Sequence, residues 1–151
     1  MDKDKPQATG KLLHSGLTDK IIGAFYEVYN DLGYGFIESV YENALSVALT
    51  AAGLRVGRQV PIAVWYRGVP VGEFRADMVV NDSVLVELKA AKGIDLAFEK
   101  QTMNYLRATN LEVALILNFG PSAQFRRLVF ENARKGLDVN KPPATPNPGN
   151  P

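Results

Sequence analysis

The chain has 151 residues, 46% of them apolar and 22% charged, which is enough for one globular domain and excludes fibrous and wholly disordered classes. It contains no cysteine and a single histidine, so thiol catalysis, Cys-ligated zinc and iron–sulfur clusters are excluded, and a multi-His metal site is too. The net charge of 17 − 16 = +1 gives no global electrostatic footprint.

The charge is unevenly spread. Residues 21–53 carry Glu27, Asp31, Glu38 and Glu42 with no Lys or Arg, whereas residues 121–151 carry Arg126, Arg127, Arg134, Lys135 and Lys141 against Glu131 and Asp138. An acidic helical region beside basic flanks suits a protein that gathers carboxylates at one point and meets a polyanion around it. Solvated surface charge is the plain alternative. No apolar run reaches the ~20 residues that span a bilayer, and the N-terminus lacks the apolar core of a signal peptide. The expectation is a cytoplasmic protein with no membrane contact.

Residues 1–17 show no period and read as a flexible lead-in, with His14 inside it. Thr18 is a candidate cap for a helix over 19–32, whose broad apolar face holds Ile21, Phe25, Val28 and Tyr29. Gly33-Tyr34-Gly35 ends it. A second helix is expected over about 37–52 with Tyr41, Leu45 and Leu49 on its stripe. Strands follow at 56–66, 73–80 and 84–90, with turns at Arg67–Pro70 and Asn81-Asp82. A helix over 95–109 leads to Glu112–Phe119, apolar enough to be a central strand buried on both faces. Residues 125–130 read as an edge strand, and residues 136–151, which hold five of the nine prolines, as a disordered tail after a domain at 18–135. This order predicts an α/β domain with a mixed sheet flanked by helices on both faces.

Asp77, Glu87 and Lys89 stand out because they lie inside strands. Alternation puts Leu85, Glu87 and Lys89 on one face, with Glu87 and Lys89 about 7 Å apart. Counting outward from a two-residue Asn81-Asp82 turn pairs Met78 with Leu85 and Asp77 with Val86, so a shift of one residue is needed to set Asp77 opposite Glu87. Such carboxylates are costly to bury unless paired or metal-bound, and hard oxygen donors suit Mg²⁺ or Mn²⁺. An exposed Glu–Lys ion pair is the competing reading. Glu38 begins a helix, where the dipole favours a carboxylate, with Tyr41 one turn on. Gln101 and Tyr105 share a helix face at i and i+4.

Gly35-Phe36-Ile37-Glu38-Ser39-Val40-Tyr41 fits Gly-x-x-Glu-x-x-Tyr, and the chain resembles the GxxExxY family, a compact branch of the PD-(D/E)XK nuclease superfamily. The resemblance runs on through Arg58-Gln59-Val60-Pro61, Arg75-Ala76-Asp77, Val86–Ala90 and Gln101–Leu106. It implies a restriction-endonuclease-like fold and a Mg²⁺- or Mn²⁺-dependent nuclease acting on DNA, or less readily RNA. The alternative is an inactive nuclease fold that binds nucleic acid or protein. Carried over residue by residue, Glu38, Asp77 and Glu87 would be metal ligands and Lys89 the lysine of E-x-K, with Gln101 and Tyr105 completing the catalytic set. Arg58, Arg75, Lys92 and Lys100 would line the nucleic-acid path, and a homodimer or a partner protein would fit so small a chain. The pattern departs at Arg75-Ala76, where the superfamily has proline before the aspartate, and at Phe98, where relatives carry histidine.

Overall fold

The computed structural model describes residues 13–136. The remainder of the expected lead-in (1–12) and nearly all of the expected tail (137–151) lie outside the described residues.

Among the described residues three helices and five strands follow in the order α1 (Ser15–Leu32), α2 (Glu38–Ala51), β1 (Val56–Tyr66), β2 (Val69–Val80), β3 (Val84–Lys89), α3 (Leu96–Arg107), β4 (Val113–Phe119) and β5 (Ala123–Val129), and a 3₁₀ turn spans Asn132–Arg134. The sheet order is β1-β2-β3-β4-β5. Only β3 and β4 run parallel, joined by the α3 crossover, and every other neighbouring pair is antiparallel. This is the expected mixed sheet.

Both faces are covered. Ile21, Phe25 and Val28 of α1 and Tyr41, Leu45 and Leu49 of α2 close over Met78, Val80, Val86, Leu88, Leu115, Leu117 and Phe119. On the opposite face Leu106 packs with Ala76, Leu85 and Ala114 in a smaller cluster. Every residue of β4 is buried, as its unbroken apolar run predicts for a strand covered on both faces.

Several local expectations need correction. α1 begins at Ser15 rather than 19, and Leu13 and Leu17 already pack on the core, so the lead-in ends earlier than residue 17. Thr18 lies inside the helix and returns its hydroxyl to the Ser15 carbonyl (3.1 Å) instead of capping it. β2 starts at Val69, because Arg67-Gly68 alone make the turn, both with positive φ (51° and 79°). Pro70 is tolerated there because this arm pairs only with β1, which leaves its other edge free of ladder bonds.

The β2–β3 connection is one residue longer than expected. Val80 pairs with Val84 and Met78 with Val86, so Asn81, Asp82 and Ser83 form a three-residue loop. Asn81 and Asp82 take positive φ (52° and 53°), and Asn81 Oδ1 accepts from the Arg55 backbone N–H at 2.8 Å. That extra residue supplies the one-step shift that sets Asp77 opposite Glu87 when the register is extended.

Beyond β3 the chain is pinned by Asn118. Its buried amide donates to the Ala91 carbonyl (3.0 Å) and accepts from the Ala91 N–H (2.9 Å). Gly120 is required beside it: a Cβ there would lie 1.9 Å from the Ala91 carbonyl oxygen.

Candidate active site

β1 and β2 change faces at Gln59 and Asp77. Phe74 and Ala76 belong to the α3-side cluster, and Met78 and Val80 to the opposite one, although simple alternation would keep all four on one face. Val60 and Ile62 differ from Val56 in the same way. At the crossing Gln59 has φ 49°, and no backbone pairing joins Gln59 to Asp77 or Asp77 to Glu87.

Side chains take over the missing ladder bonds. The Asp77 backbone N–H donates to Glu87 Oε2 (3.1 Å), and the Leu88 N–H donates to Asp77 Oδ2 (2.8 Å). The two carboxylates thus stand side by side where the strands separate. Glu87 is only 6% exposed. Burial first, and then the charge of Asp77, push its carboxyl up to about 8, with Lys89 opposing this only in part. Asp77 is raised as well, chiefly by burial; the Leu88 N–H pulls the other way and the Glu42 charge adds to the rise.

Glu38 lies at the first position of α2, and its charge is felt by both Asp77 and Glu87. Lys89 shares the face of Glu87 and holds its ammonium 4.4 Å from the centre of the Phe98 ring. Phe98 therefore carries the lysine. Tyr105 stacks flat on Phe74 (centroids 3.5 Å apart, planes at 10°). Its phenol is raised first by burial and then by Glu87 and Asp77, so it lies within electrostatic reach of the pair.

Other sequence candidates sit further out. Gln101 and Lys100 are exposed on α3, and Lys92 is exposed in the segment before it. Arg75 donates to the Gln59 carbonyl (3.1 Å), which braces the strand crossing. Arg58 is engaged by Glu42 (3.1 Å) and by Asn43 Oδ1.

Two participants escaped the sequence reading. Gln59 Nε2 donates to Glu42 Oε1 (2.9 Å) and, at 3.4 Å, approaches Asp77 Oδ1, so Glu42 and Gln59 form an outer layer behind the aspartate. The available signal was the i, i+4 spacing of Glu38 and Glu42, which puts both on one helix face.

Among the described residues no three His, Cys, Asp or Glu side chains are gathered closely enough to hold an ion by themselves. The Asp77–Glu87 pair still fits a hard divalent cation. Mg²⁺ commonly takes one or two carboxylates and completes its shell with water and substrate phosphate. Two adjacent carboxyl groups held above their ordinary ionisation range are what a cation would relieve.

No helix among the described residues is long and apolar enough to cross a membrane. Comparison with curated proteins and with solved structures gives no significant match. A family profile described as the PD-(D/E)XK nuclease superfamily matches residues 15–128, from the first residue of α1 to the penultimate residue of β5. The match takes in Glu38, Asp77, Glu87 and Lys89 together, and the chain belongs to the PD-(D/E)XK nuclease superfamily.

Proposed function

We propose that the chain is a Mg²⁺- or Mn²⁺-dependent nuclease of the GxxExxY branch that hydrolyses phosphodiester bonds in DNA. The observation that carries this reading is the Asp77–Glu87 pair, set side by side at the parting of β2 and β3 with Lys89 on the same face.

Asp77 and Glu87 would hold the ion, with Glu38 facing them directly or across a water. When bound, the metal supplies Lewis-acid polarisation of the scissile phosphate and an opposite charge for the buried carboxylates. Lys89 is the group to orient the attacking water and to steady charge that develops on the phosphate. The Phe98 ring narrows the space its ammonium can occupy. Tyr105, fixed by its stack on Phe74, would orient Lys89 or a phosphate oxygen, and Gln101, exposed on the preceding turn of α3, would orient the water or a nucleotide phosphate. Arg75, Lys92 and Lys100 are cations for the nucleic-acid backbone, and Arg58 joins them on leaving Glu42.

Calorimetric titration with Mn²⁺ tests the ion site. Wild type should bind and Asp77→Ala should bind weakly or not at all; equal heats would remove Asp77 from the site. Cleavage of DNA and of RNA in Mg²⁺ or Mn²⁺ then tests the chemistry. Lys89→Ala should keep oligonucleotide binding but lose cleavage by ~10²-fold or more. A wild type that binds oligonucleotide and metal yet cuts nothing would make this an inactive, binding member of the superfamily.

A further inference from the structure

The link between α1 and α2 exposes three large apolar side chains within four residues: Tyr34 (63% exposed), Phe36 (49%) and Ile37 (71%). Scattered exposed apolar residues need no explanation, but a cluster on a fixed support does. The support is specific. Tyr41 is fully buried, and its hydroxyl donates to the Gly33 carbonyl (2.6 Å) while accepting from the Phe36 N–H (3.2 Å). The Phe36 ring meets the Tyr41 ring edge-on, 6.1 Å between centroids. Gly33 and Gly35 bend the chain through positive φ (71° and 118°) that side chains rarely adopt. The loop is therefore built to stay ordered with its apolar side chains outward.

Its position gives those side chains a meaning. Ile37 is the residue before α2, and the next residue is Glu38, whose charge both Asp77 and Glu87 feel. We propose that the Tyr34–Ile37 loop is a stacking platform for unpaired bases, so that the substrate class of the neighbouring carboxylate site is single-stranded nucleic acid rather than continuous duplex. This rests on the nuclease reading above.

Charge distinguishes the two substrates. A duplex turns its phosphates outward and is held by Lys and Arg at its backbone. Residues 21–53 offer none; the loop lies between Asp31 and Glu38. A single strand presents uncharged base faces, which stack on aromatic and apolar surfaces irrespective of sequence. An ordered loop also loses little conformational freedom when a base lands on it.

The test is fluorescence binding, in Ca²⁺, of a short single-stranded oligonucleotide containing 2-aminopurine and of a blunt-ended duplex. Tyr34→Ala/Ile37→Ala changes only strongly exposed side chains; Tyr34→Ala alone is the second variant should the double variant melt lower. Wild type should prefer the single strand, and the variant should bind it about tenfold more weakly, with 2-aminopurine quenching lost and duplex binding unchanged. Equal single-strand affinity in wild type and variant would overturn the platform while leaving the nuclease reading intact. A wild type that binds no nucleic acid would remove both. Sedimentation that shows self-association in wild type and not in the variant, with oligonucleotide binding unchanged, would make the loop a protein interface and overturn the proposal.

Discussion

The two faces of the sheet follow opposite rules, and one strand serves both. From β3, Val84, Val86 and Leu88 point into the cluster under α1 and α2, while Leu85, Glu87 and Lys89 point toward α3. The first face is closed by two helices of 18 and 14 residues and holds most of the large buried side chains. The second is covered by a 12-residue helix, with a buried carboxylate, a half-buried lysine and a half-buried tyrosine at its margin. A surplus of burial on one side lets the other keep charged groups that cost stability. The division of labour is therefore energetic as well as spatial.

The sharpest way to break the contrast is to damage the closed face. Phe25 is fully buried and meets Phe119 edge-on at 4.8 Å, and Phe119 stacks in turn on Tyr41 at 4.4 Å. Phe25→Ala should cost about 3–5 kcal/mol, read as a lower urea midpoint. A loss under about 1 kcal/mol would mean that this face does not carry the stability.

The open face should respond in the opposite sense. The Glu87 carboxyl is raised from 4.5 to about 8, so between those values the folded chain keeps a proton that the unfolded chain releases. Stability supplied by that proton is fully present below pH 4.5 and is lost as pH rises through about 8. With chelator present, the melting temperature should fall across this window. Glu87→Gln should flatten the fall. Its gain should be near zero at pH 4 and on the order of 1–2 kcal/mol at pH 9, since part of the shift reflects the coupled Asp77 charge. A variant less stable than wild type at pH 9 would show that ionised Glu87 supports the fold instead of straining it.

The contrast also explains what could be read without coordinates. The closed face was legible because apolar stripes such as Ile21-Phe25-Val28 and Tyr41-Leu45-Leu49 repeat with the helical period. The unbroken run of β4 announced a strand covered on both sides. Asp77, Glu87 and Lys89 stood out as candidate residues, but their geometry was not legible. Asn81-Asp82-Ser83 reads equally well as a two- or a three-residue turn, and one residue of register decides whether Asp77 faces Val86 or Glu87. The crossing at Gln59 and Asp77 has no periodic signature, because each strand keeps an apolar set on both sides of it. Glu42 and Gln59 were missed for a related reason. A second acid on an acidic helix resembles solvated charge, and only the crossing brings Gln59 between Glu42 and Asp77.

Tyr41 joins the two regions, and its hydroxyl yields the smallest expected effect. The ring belongs to the closed face, stacked on Phe119, while the hydroxyl reaches out to hold the loop that leads into Glu38. Tyr41→Phe keeps the ring and removes both hydrogen bonds. Their other ends, the Gly33 carbonyl and the Phe36 N–H, lie in a half-buried and an exposed residue, so water can replace the lost partner. The global cost should be about 1 kcal/mol, a shift of a few degrees in melting temperature. The local effect should be larger in proportion: amide exchange at Phe36 should quicken markedly while amides of α1 stay protected. If exchange at Phe36 is unchanged, the glycines alone hold the loop. If α1 loses protection as well, the hydroxyl is part of the closed core, and the boundary between the two regions lies further out than the loop.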